Sequence, residues 1–429
     1  MLVAQSAHDE LIRRDPGIPG LGVLLDPTAV LDAVHALLPR GVERPSAARA
    51  AYLHYQPGVR LTAGLVLDYP SGPEWAFARA FSAGDSGTRI AEEADYARRW
   101  APQPGAHSVD VNALVDPRLR GPLNDPATGV VMGPPVDDRS VPAARHFASS
   151  PHGFAAGPGS SVHTLAYQPG RRWVGRVDDA WHTPRHVVRA YAGSVNVAAY
   201  LALAAAGLPV PDLVRVSRYG LLALSWTPGE PLDRVTGERE EALREAGGLL
   251  ARIHAVTPPR ELSRSDASGA PVAAATVLAG ILPGLAARAE AVARRCGEAL
   301  RSLAAPQVLS HGDFRAEQVV RGEQGLALVD LDRVRMAHPA SDLADFAAAD
   351  YLHGRAMGTD PTATLGPLLA GYVDESTPDL ALAVRRGLGV FTAASLLRRA
   401  GEPFCTGAPN WDTRAESMVG LAEELLAAD

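Results

Sequence analysis

Residues 311–332, HGDFRAEQVVRGEQGLALVDLD, set His311, Asp313, Gln318, Asp330 and Asp332 inside an Ala-rich background of helical pattern. His311-Gly312-Asp313 follows the apolar end of QVLS, and Val319-Val320 and Leu326 to Val329 flank the turn residues RGEQG, which predicts a hairpin. Asp313 and Gln318 then precede its first strand, and Asp330 ends its second. A hairpin brings such ends together, so one carboxamide oxygen and two carboxylates converge. Hard oxygen donors of this kind suit Mg2+, which keeps several waters and bridges substrate phosphates. Phosphoryl transfer asks for that set: one carboxylate to receive the proton of an attacking hydroxyl, and other oxygens to hold metal against a nucleotide. The plain alternative is that Asp313 caps a helical turn while Asp330 and Asp332 are turn residues. For one aspartate alone the plain reading is the better one; for the set at this spacing the chemical reading is.

The elements that must position these groups divide into a strand-rich and a helix-rich part. AYLHYQPGVRLTAGLVLDY (51–69) and HTLAYQPGRRWVGRVDD (163–179) share Tyr-Gln-Pro-Gly, with Leu two residues before the Tyr and Arg five after it. Each is followed by a loop and then by Arg-Ala-aromatic, as Arg79-Ala80-Phe81 and Arg189-Ala190-Tyr191. A duplicated hairpin-plus-strand unit explains these matches better than chance. Arg79 itself reads as a surface or structural residue. The second copy leads into the helical pattern SVNVAAYLALAAAG and two more strands, LPVPDLVRV and GLLALSW. Five antiparallel strands with a helix after the third is the plan of a kinase small lobe. From Leu232 the period becomes helical, as in LDRVTGEREEALREAGGLLARIHAV, and stays so around the hairpin to the end of the chain.

Composition narrows the classes further. At 429 residues and 47% hydrophobic content the chain has ample material for more than one core. The apolar runs inspected, such as Ala198 to Pro209, fall short of the roughly 20 residues a spanning helix needs, so no membrane partner is expected. The opening MLVAQSAHDELIRRDPG carries acids near its start and reads as a frayed terminus, and the expected location is the cytoplasm. A net charge of -7 opposes nucleic-acid binding. Two cysteines, Cys296 and Cys405, make neither a disulfide framework nor a structural zinc site. There is no Lys, so all 41 basic residues are Arg. That matters wherever chemistry would ordinarily ask for an amine.

With these residues in view, the sequence resembles the aminoglycoside phosphotransferase and choline kinase family. Its members share His-Gly-Asp, four variable residues, Asn or less often Gln, an apolar strand ending in Asp, and a later Asp-Leu-Ala. Here these are His311-Gly312-Asp313, Gln318, LALVD ending at Asp330, and Asp342-Leu343-Ala344; SLLRRAGEPF (395–404) is also similar. The resemblance covers roughly residues 160–429. It implies Asp313 as catalytic base, Gln318 and Asp330 as ligands of Mg2+, ATP or GTP as co-substrate, Asp342 as a structural tie, and His311 as loop support. Glu317 is expected to be solvated and Asp332 to stand behind the metal ligands. The family's small-lobe Lys is replaced by Arg189, with Arg172 able to share its task, and the usual Glu of the next helix by Asn196. The turn Gln168-Pro169-Gly170-Arg171 stands in for a glycine-rich phosphate loop. Ser225, Trp226 and Thr227, following Leu224, form the expected hinge against the nucleotide base.

The expected architecture is an α+β, protein-kinase-like bilobal fold with an additional N-terminal α+β domain, similar to that of maltokinase-like relatives. The segments are 1–22 as a tail, 23–150 as a cap with a duplicated small-lobe-like sheet, 151–231 as the small lobe and 232–429 as the helical large lobe. The expected activity is transfer of a phosphoryl group from ATP or GTP to a hydroxyl of a small polar molecule of aminoglycoside, sugar or natural-product type. Two alternatives stay open at this level: a Ser/Thr kinase for a biosynthetic peptide, working with a companion protein, and a pseudokinase that serves as a scaffold.

Overall fold

The structure, a computed structural model, describes residues 7–99, 109–119, 123–260, 262–303, 306–355, 361–362 and 365–428. The chain divides into two compact units: Met1–Val195, Leu213–Trp226 and Phe404–Pro409 form one, and Asn196–Asp212, Thr227–Pro403 and Asn410–Asp429 the other.

The first unit opens with α1 (Ala7–Arg14), α2 (Leu21–Leu25) and α3 (Pro27–Leu37). The expectation of a frayed start is corrected over the described residues, because Leu11 and Ile18 are buried; residues 1–6 lie outside them. Helix α3 starts where its sequence says it should. The Asp26 carboxylate accepts from the backbone N–H groups of Thr28 and Ala29 at 2.8 and 3.3 Å, and Pro27 takes the first helical position. Next come β1 (Ala47–Gln56), β2 (Arg60–Tyr69), β3 (Gly72–Phe81), α4 (Ser86–Arg98), α5 (Asn112–Val115), β4 (Leu123–Asp125) and β5 (Val130–Gly133). Helix α6 (Pro142–Ser149) leads to β6 (Ser161–Gln168), β7 (Arg172–Asp178) and β8 (Pro184–Tyr191). After α7 (Ala198–Ala205), which belongs to the second unit, come β9 (Leu213–Ser217) and β10 (Leu221–Ser225).

These strands make two antiparallel sheets of the same plan, β1-β2-β3-β5-β4 and β6-β7-β8-β10-β9. The likeness extends to register. Gln56 pairs with Arg60 and Gln168 with Arg172 across the first hairpins, while Arg79 opposes Thr62 as Arg189 opposes Val174. Phe77 and Val131 of the first sheet, Phe147 of α6, and Trp173, Val188 and Leu221 of the second share one apolar cluster. Removing aromatic and branched side chains of this size from water stabilises by about 1.5–3 kcal/mol each, so this joint core accounts for the two sheets forming one unit.

The second unit carries β11 (Glu230–Pro231), α8 (Arg239–His254), α9 (Ala270–Ile281), α10 (Ala286–Ser302), β12 (Val308–Ser310), β13 (Val319–Gly322), β14 (Gly325–Leu328) and β15 (Arg335–Ala337). It ends with α11 (Ala340–Leu352), α12 (Gly366–Glu375), α13 (Pro378–Arg399), α14 (Glu402–Cys405) and α15 (Trp411–Ala428). Its core is helical, with Leu278, Val292, Ala344, Leu396 and Met418 in one buried cluster. The stretch Pro378–Cys405 is long and apolar enough to cross a membrane by length and composition, yet 56% of its apolar window is buried inside the protein.

Helices α8 and α12 cross backbone against backbone. A Cβ on Gly371 would collide with the Arg244 carbonyl, and one on Gly247 with that of Leu368. Gly371→Ala is therefore expected to force the two helices apart and to lower the unfolding free energy by about 1–3 kcal/mol. The urea midpoint reads this directly, and an unchanged midpoint would refute the close crossing.

Candidate active site

Residues 308–337 form the expected hairpin and its supports. Strands β13 and β14 pair from Val319↔Leu328 to Gly322↔Gly325, leaving a two-residue turn, and β12 pairs with β15. Gln318 and Asp330 flank the hairpin at its open end, where the Gln318 carboxamide nitrogen donates to an Asp330 carboxylate oxygen at 3.4 Å. Asp330 holds φ at 62°, a left-handed conformation that a short polar side chain tolerates better than most.

The loop entering the hairpin is organised by a single buried carboxylate. Asp342, fully buried at the start of α11, accepts from the backbone N–H groups of His311 and Gly312 at 2.9 Å each, from Ser310 Oγ at 3.0 Å, and meets His254 Nε2 at 3.1 Å. His254 Nδ1 in turn lies 2.8 Å from the Tyr372 hydroxyl, so the α8–α12 crossing feeds into the loop. Burial works against the Asp342 charge, but the His254 hydrogen bond and charge, with the loop donors, outweigh it and lower the carboxyl to about 2. Gly312 has φ of +78°, and a Cβ there would run into the Arg333 carbonyl, so this position of the loop admits only glycine. His311 is buried with Nε2 3.1 Å from the Val329 carbonyl, beside the end of β14.

Asp313 follows this fixed pair of residues. It is 7% exposed and accepts from the Arg399 guanidinium at 2.8 Å, with Arg315 at 3.6 Å from its other oxygen. Burial alone would raise its pKa; the guanidinium groups of Arg399, Arg315, Arg333 and Arg398 overcome that and hold the carboxyl well below the usual carboxylate range. Arg399 is 1% exposed and also binds Glu402 at 2.9 and 3.2 Å. Its neighbour Arg398 and Ser395 both bond to Asp345 on α11, which fastens α13 to the helix that carries Asp342.

Arg399 lies within SLLRRAGEPF, the stretch similar to the family, but no local motif assigns it a role. A signal for it was present. Thr392, Leu396 and Arg399 recur at helical spacing, and all three are buried, so an arginine stands on the apolar stripe of a long helix. Two expectations are corrected. Glu317 is not simply solvated, since it pairs with Arg355 at 2.8 Å and lies 3.4 Å from His353 Nδ1. Asn196 does not sit on the helix after β8; it precedes α7, where its carboxamide oxygen accepts from the Ala198 N–H at 3.0 Å and shapes the helix start. Asp332 is exposed.

In the other unit, β8 carries Arg189, 7% exposed, and the register places it on the same face of the sheet as Arg172. Ser225 ends β10 opposite His186, and the Trp226 N–H donates to the Arg185 carbonyl at 2.8 Å. The chain passes from the first unit to the second between Trp226 and Thr227.

Gln318 and Asp330 fit a divalent cation by the chemistry of their donors. Each side chain carries a hard oxygen, and the two side chains meet at the open end of the hairpin, the Gln318 nitrogen facing Asp330. Among the described residues no group of three or more His, Cys, Asp or Glu side chains is arranged to hold a metal. The pair thus leaves most coordination positions to phosphate oxygens and water, which is how Mg2+ is ordinarily bound.

An ionised carboxylate on a rigid loop, followed along the chain by a carboxamide and a carboxylate at a hairpin end, in a protein-kinase-like α+β fold with an additional N-terminal region, is the arrangement of a phosphotransferase with an alcohol acceptor. The family model described as "Phosphotransferase enzyme family" matches residues 167–387, and the chain belongs to that family. No curated protein matches the chain. Among solved structures it is similar to a choline/ethanolamine kinase family protein from Mesorhizobium loti, at 18% identity and TM-score 0.48, covering 67% of this chain and 94% of that one. A spectinomycin phosphotransferase solved with ADP and spectinomycin is 12% identical at TM-score 0.43, covering 62% and 92%. An amicoumacin kinase solved with AMP-PNP and Ca2+ is 13% identical at TM-score 0.48, covering 62% and 88%.

The depressed Asp342 carboxyl makes a stability prediction. Its folded value, about 2 against 3.8, means that its contribution is complete above the unfolded value and is lost as pH falls through the folded one. At about 1.4 kcal/mol per unit this amounts to roughly 2 kcal/mol. The stability difference between wild type and Asp342→Asn, from urea unfolding, should shrink by that amount between about pH 5 and about pH 2. A difference independent of pH would show that the charge on Asp342 does not hold the loop.

Proposed function

We propose that this phosphotransferase uses ATP or GTP with Mg2+ to phosphorylate a hydroxyl of a small polar molecule of the aminoglycoside, sugar or natural-product type. The observation that carries the reading is the state of Asp313: buried, ionised, and held by Arg399 in the loop that enters the hairpin flanked by Gln318 and Asp330. Asp313 accepts a hydrogen bond from the acceptor hydroxyl, orients its oxygen toward the γ-phosphorus and takes the proton as the new P–O bond forms. The bond to the β–γ bridging oxygen breaks, and that oxygen leaves with its electron pair on the nucleoside diphosphate. A carboxylate with so low a pKa is a weak base. It suffices because the phosphoryl transition state is loose, so the hydroxyl proton leaves late and positioning matters more than basicity.

Gln318 and Asp330 would hold the Mg2+, which when bound neutralises charge on the phosphate oxygens. Arg189 and Arg172, on one face of the second sheet, hold phosphate oxygens through forked guanidinium donors, in the absence of any lysine. Ser225, Trp226 and Thr227 offer backbone groups to the base, apart from the Trp226 N–H, which the Arg185 carbonyl already takes. Several acids of the C-terminal helices have other work: Asp374 pairs with Arg244, and Glu416 and Glu423 with Arg288. The acceptor is accordingly assigned only as a polar hydroxyl compound, to be found by a panel.

Asp313→Asn should lower nucleotide-dependent phosphorylation across such a panel by about 10²–10⁴-fold; retained turnover would remove Asp313 as the base. Arg189→Ala should raise the KM for nucleotide, and an unchanged KM would mean that β8 does not meet the phosphates. Arg399→Gln addresses the charge on Asp313. With its strongest neighbouring cation gone, burial raises the Asp313 carboxyl, so the acid limb of kcat/KM moves to higher pH than in the wild type. An acid limb at the wild-type position would show that Arg399 does not set the ionisation of the base.

A further inference from the structure

The Tyr-Gln-Pro-Gly turn is fastened in the same way in both sheets. In the first, the Tyr55 hydroxyl and the Gly58 N–H both donate to one oxygen of Asp15, at 2.7 Å each. In the second, the Tyr167 hydroxyl and the Gly170 N–H both donate to one oxygen of Asp138, at 2.9 and 2.8 Å. The shared tetrapeptide is thus explained by a clamp: tyrosine and glycine supply two donors that a single carboxylate oxygen collects.

The second clamp differs from the first in what stands behind it. Asp138 is fully buried, and its other oxygen accepts from the Ser140 N–H at 3.0 Å and from the Arg79 guanidinium at 2.5 Å. Arg79, 1% exposed, is bonded also to Glu93 of α4 at 2.8 Å. By register, Arg79 is the first sheet's counterpart of Arg189, and Glu93 lies on the helix that follows the third strand. The first sheet thus places an arginine and a glutamate where the family's small lobe has its lysine–glutamate pair, but this pair is buried inside the protein and directed at the clamp of the second sheet. The same turn meets the first sheet at two further points: Pro169 packs against β2 at Gly64, and the Arg171 guanidinium lies beside the Tyr52 hydroxyl on β1.

The geometry points to Asp138, backed by Arg79, as a positioning residue that fixes the turn Gln168–Arg171 from the N-terminal sheet and so sets how tightly the nucleotide phosphates are bound. The inference rests on the proposed function, in which Arg172, the residue next after that turn, meets phosphate, and on the expectation that the turn stands in for a glycine-rich phosphate loop. A carboxylate with four donors fixes the turn through charge-assisted bonds, and a turn already ordered loses less freedom when phosphate arrives. A carboxamide at the same place cannot serve all four donors, because its nitrogen must face either Arg79 or the Gly170 N–H.

The test uses the full-length protein and Mg2+-ADP. Calorimetric titration of the wild type comes first: no binding would overturn the nucleotide assignment itself, and this inference with it. Given binding, Asp138→Asn is expected to weaken affinity roughly tenfold, about the effect of one charge-assisted hydrogen bond, and Tyr167→Phe to weaken it by less. The ligand-free melting temperature should change little in Tyr167→Phe, and amide exchange of the segment 166–173 should quicken in both variants before nucleotide is added. Wild-type affinity in both variants would overturn the positioning role while leaving the nucleotide reading intact. Tighter binding in Asp138→Asn would also overturn it, since Asp138 would then be competing with phosphate for the Gly170 N–H. If Asp138→Asn does not fold, Tyr167→Phe decides on the same terms.

Discussion

A guanidinium cannot shed its proton to enter a protein interior, so a chain that makes all its cations from arginine must bring carboxylates inside with them. Arg79 lies between Glu93 and Asp138, and Arg399 between Glu402 and Asp313. In both places burial opposes the charge and the paired acids more than restore it, raising the arginine pKa above its ordinary value. Such pairs add little net stability compared with an apolar filling, yet removing one partner strands the other, at a cost of about 3–5 kcal/mol. Their value here is geometric. Each arginine fixes a carboxylate that the proposals use: Arg399 fixes Asp313 and Arg79 fixes Asp138.

Asp342 applies the same logic with backbone donors. Two successive N–H groups of the loop, a serine hydroxyl and a histidine converge on it, and the loop conformation follows from the need to satisfy them. The α8–α12 crossing, too close for a side chain at Gly371, sets where His254 stands. A substitution between two helices is thereby connected to the residue before Asp313 through contacts that can each be named.

Much of this was legible in the sequence because it is local. The hairpin follows from two short apolar runs around RGEQG, and the meeting of Gln318 with Asp330 follows from the hairpin. The two sheets are announced by a repeated tetrapeptide whose flanking residues recur at matching offsets, and the protein-kinase-like fold by strand number and the helix after the third strand. What escaped depends on contacts distant in sequence. Arg399 reaches Asp313 across 86 positions, and Arg79 reaches Asp138 across 59. Neither partner carries a local mark of the other. Asn196 falls on the helix only when the position is counted back from Gly207, and the helix begins at Ala198. The polarity of the opening residues reads as a frayed end, whereas Leu11 and Ile18 reach a core that no short window contains.

The arginine in β8 also fixes how such a protein can be interrogated. Reactive nucleotide analogues that locate phosphate-binding strands commonly acylate or sulfonylate a lysine amine, and this chain has no lysine anywhere along its 429 residues. The absence of a labelled lysine is therefore built into its alphabet and says nothing about whether a nucleotide is held. Reagents that condense with guanidinium groups are the ones able to read the position of Arg189, and protection by bound nucleotide is the signal they would give.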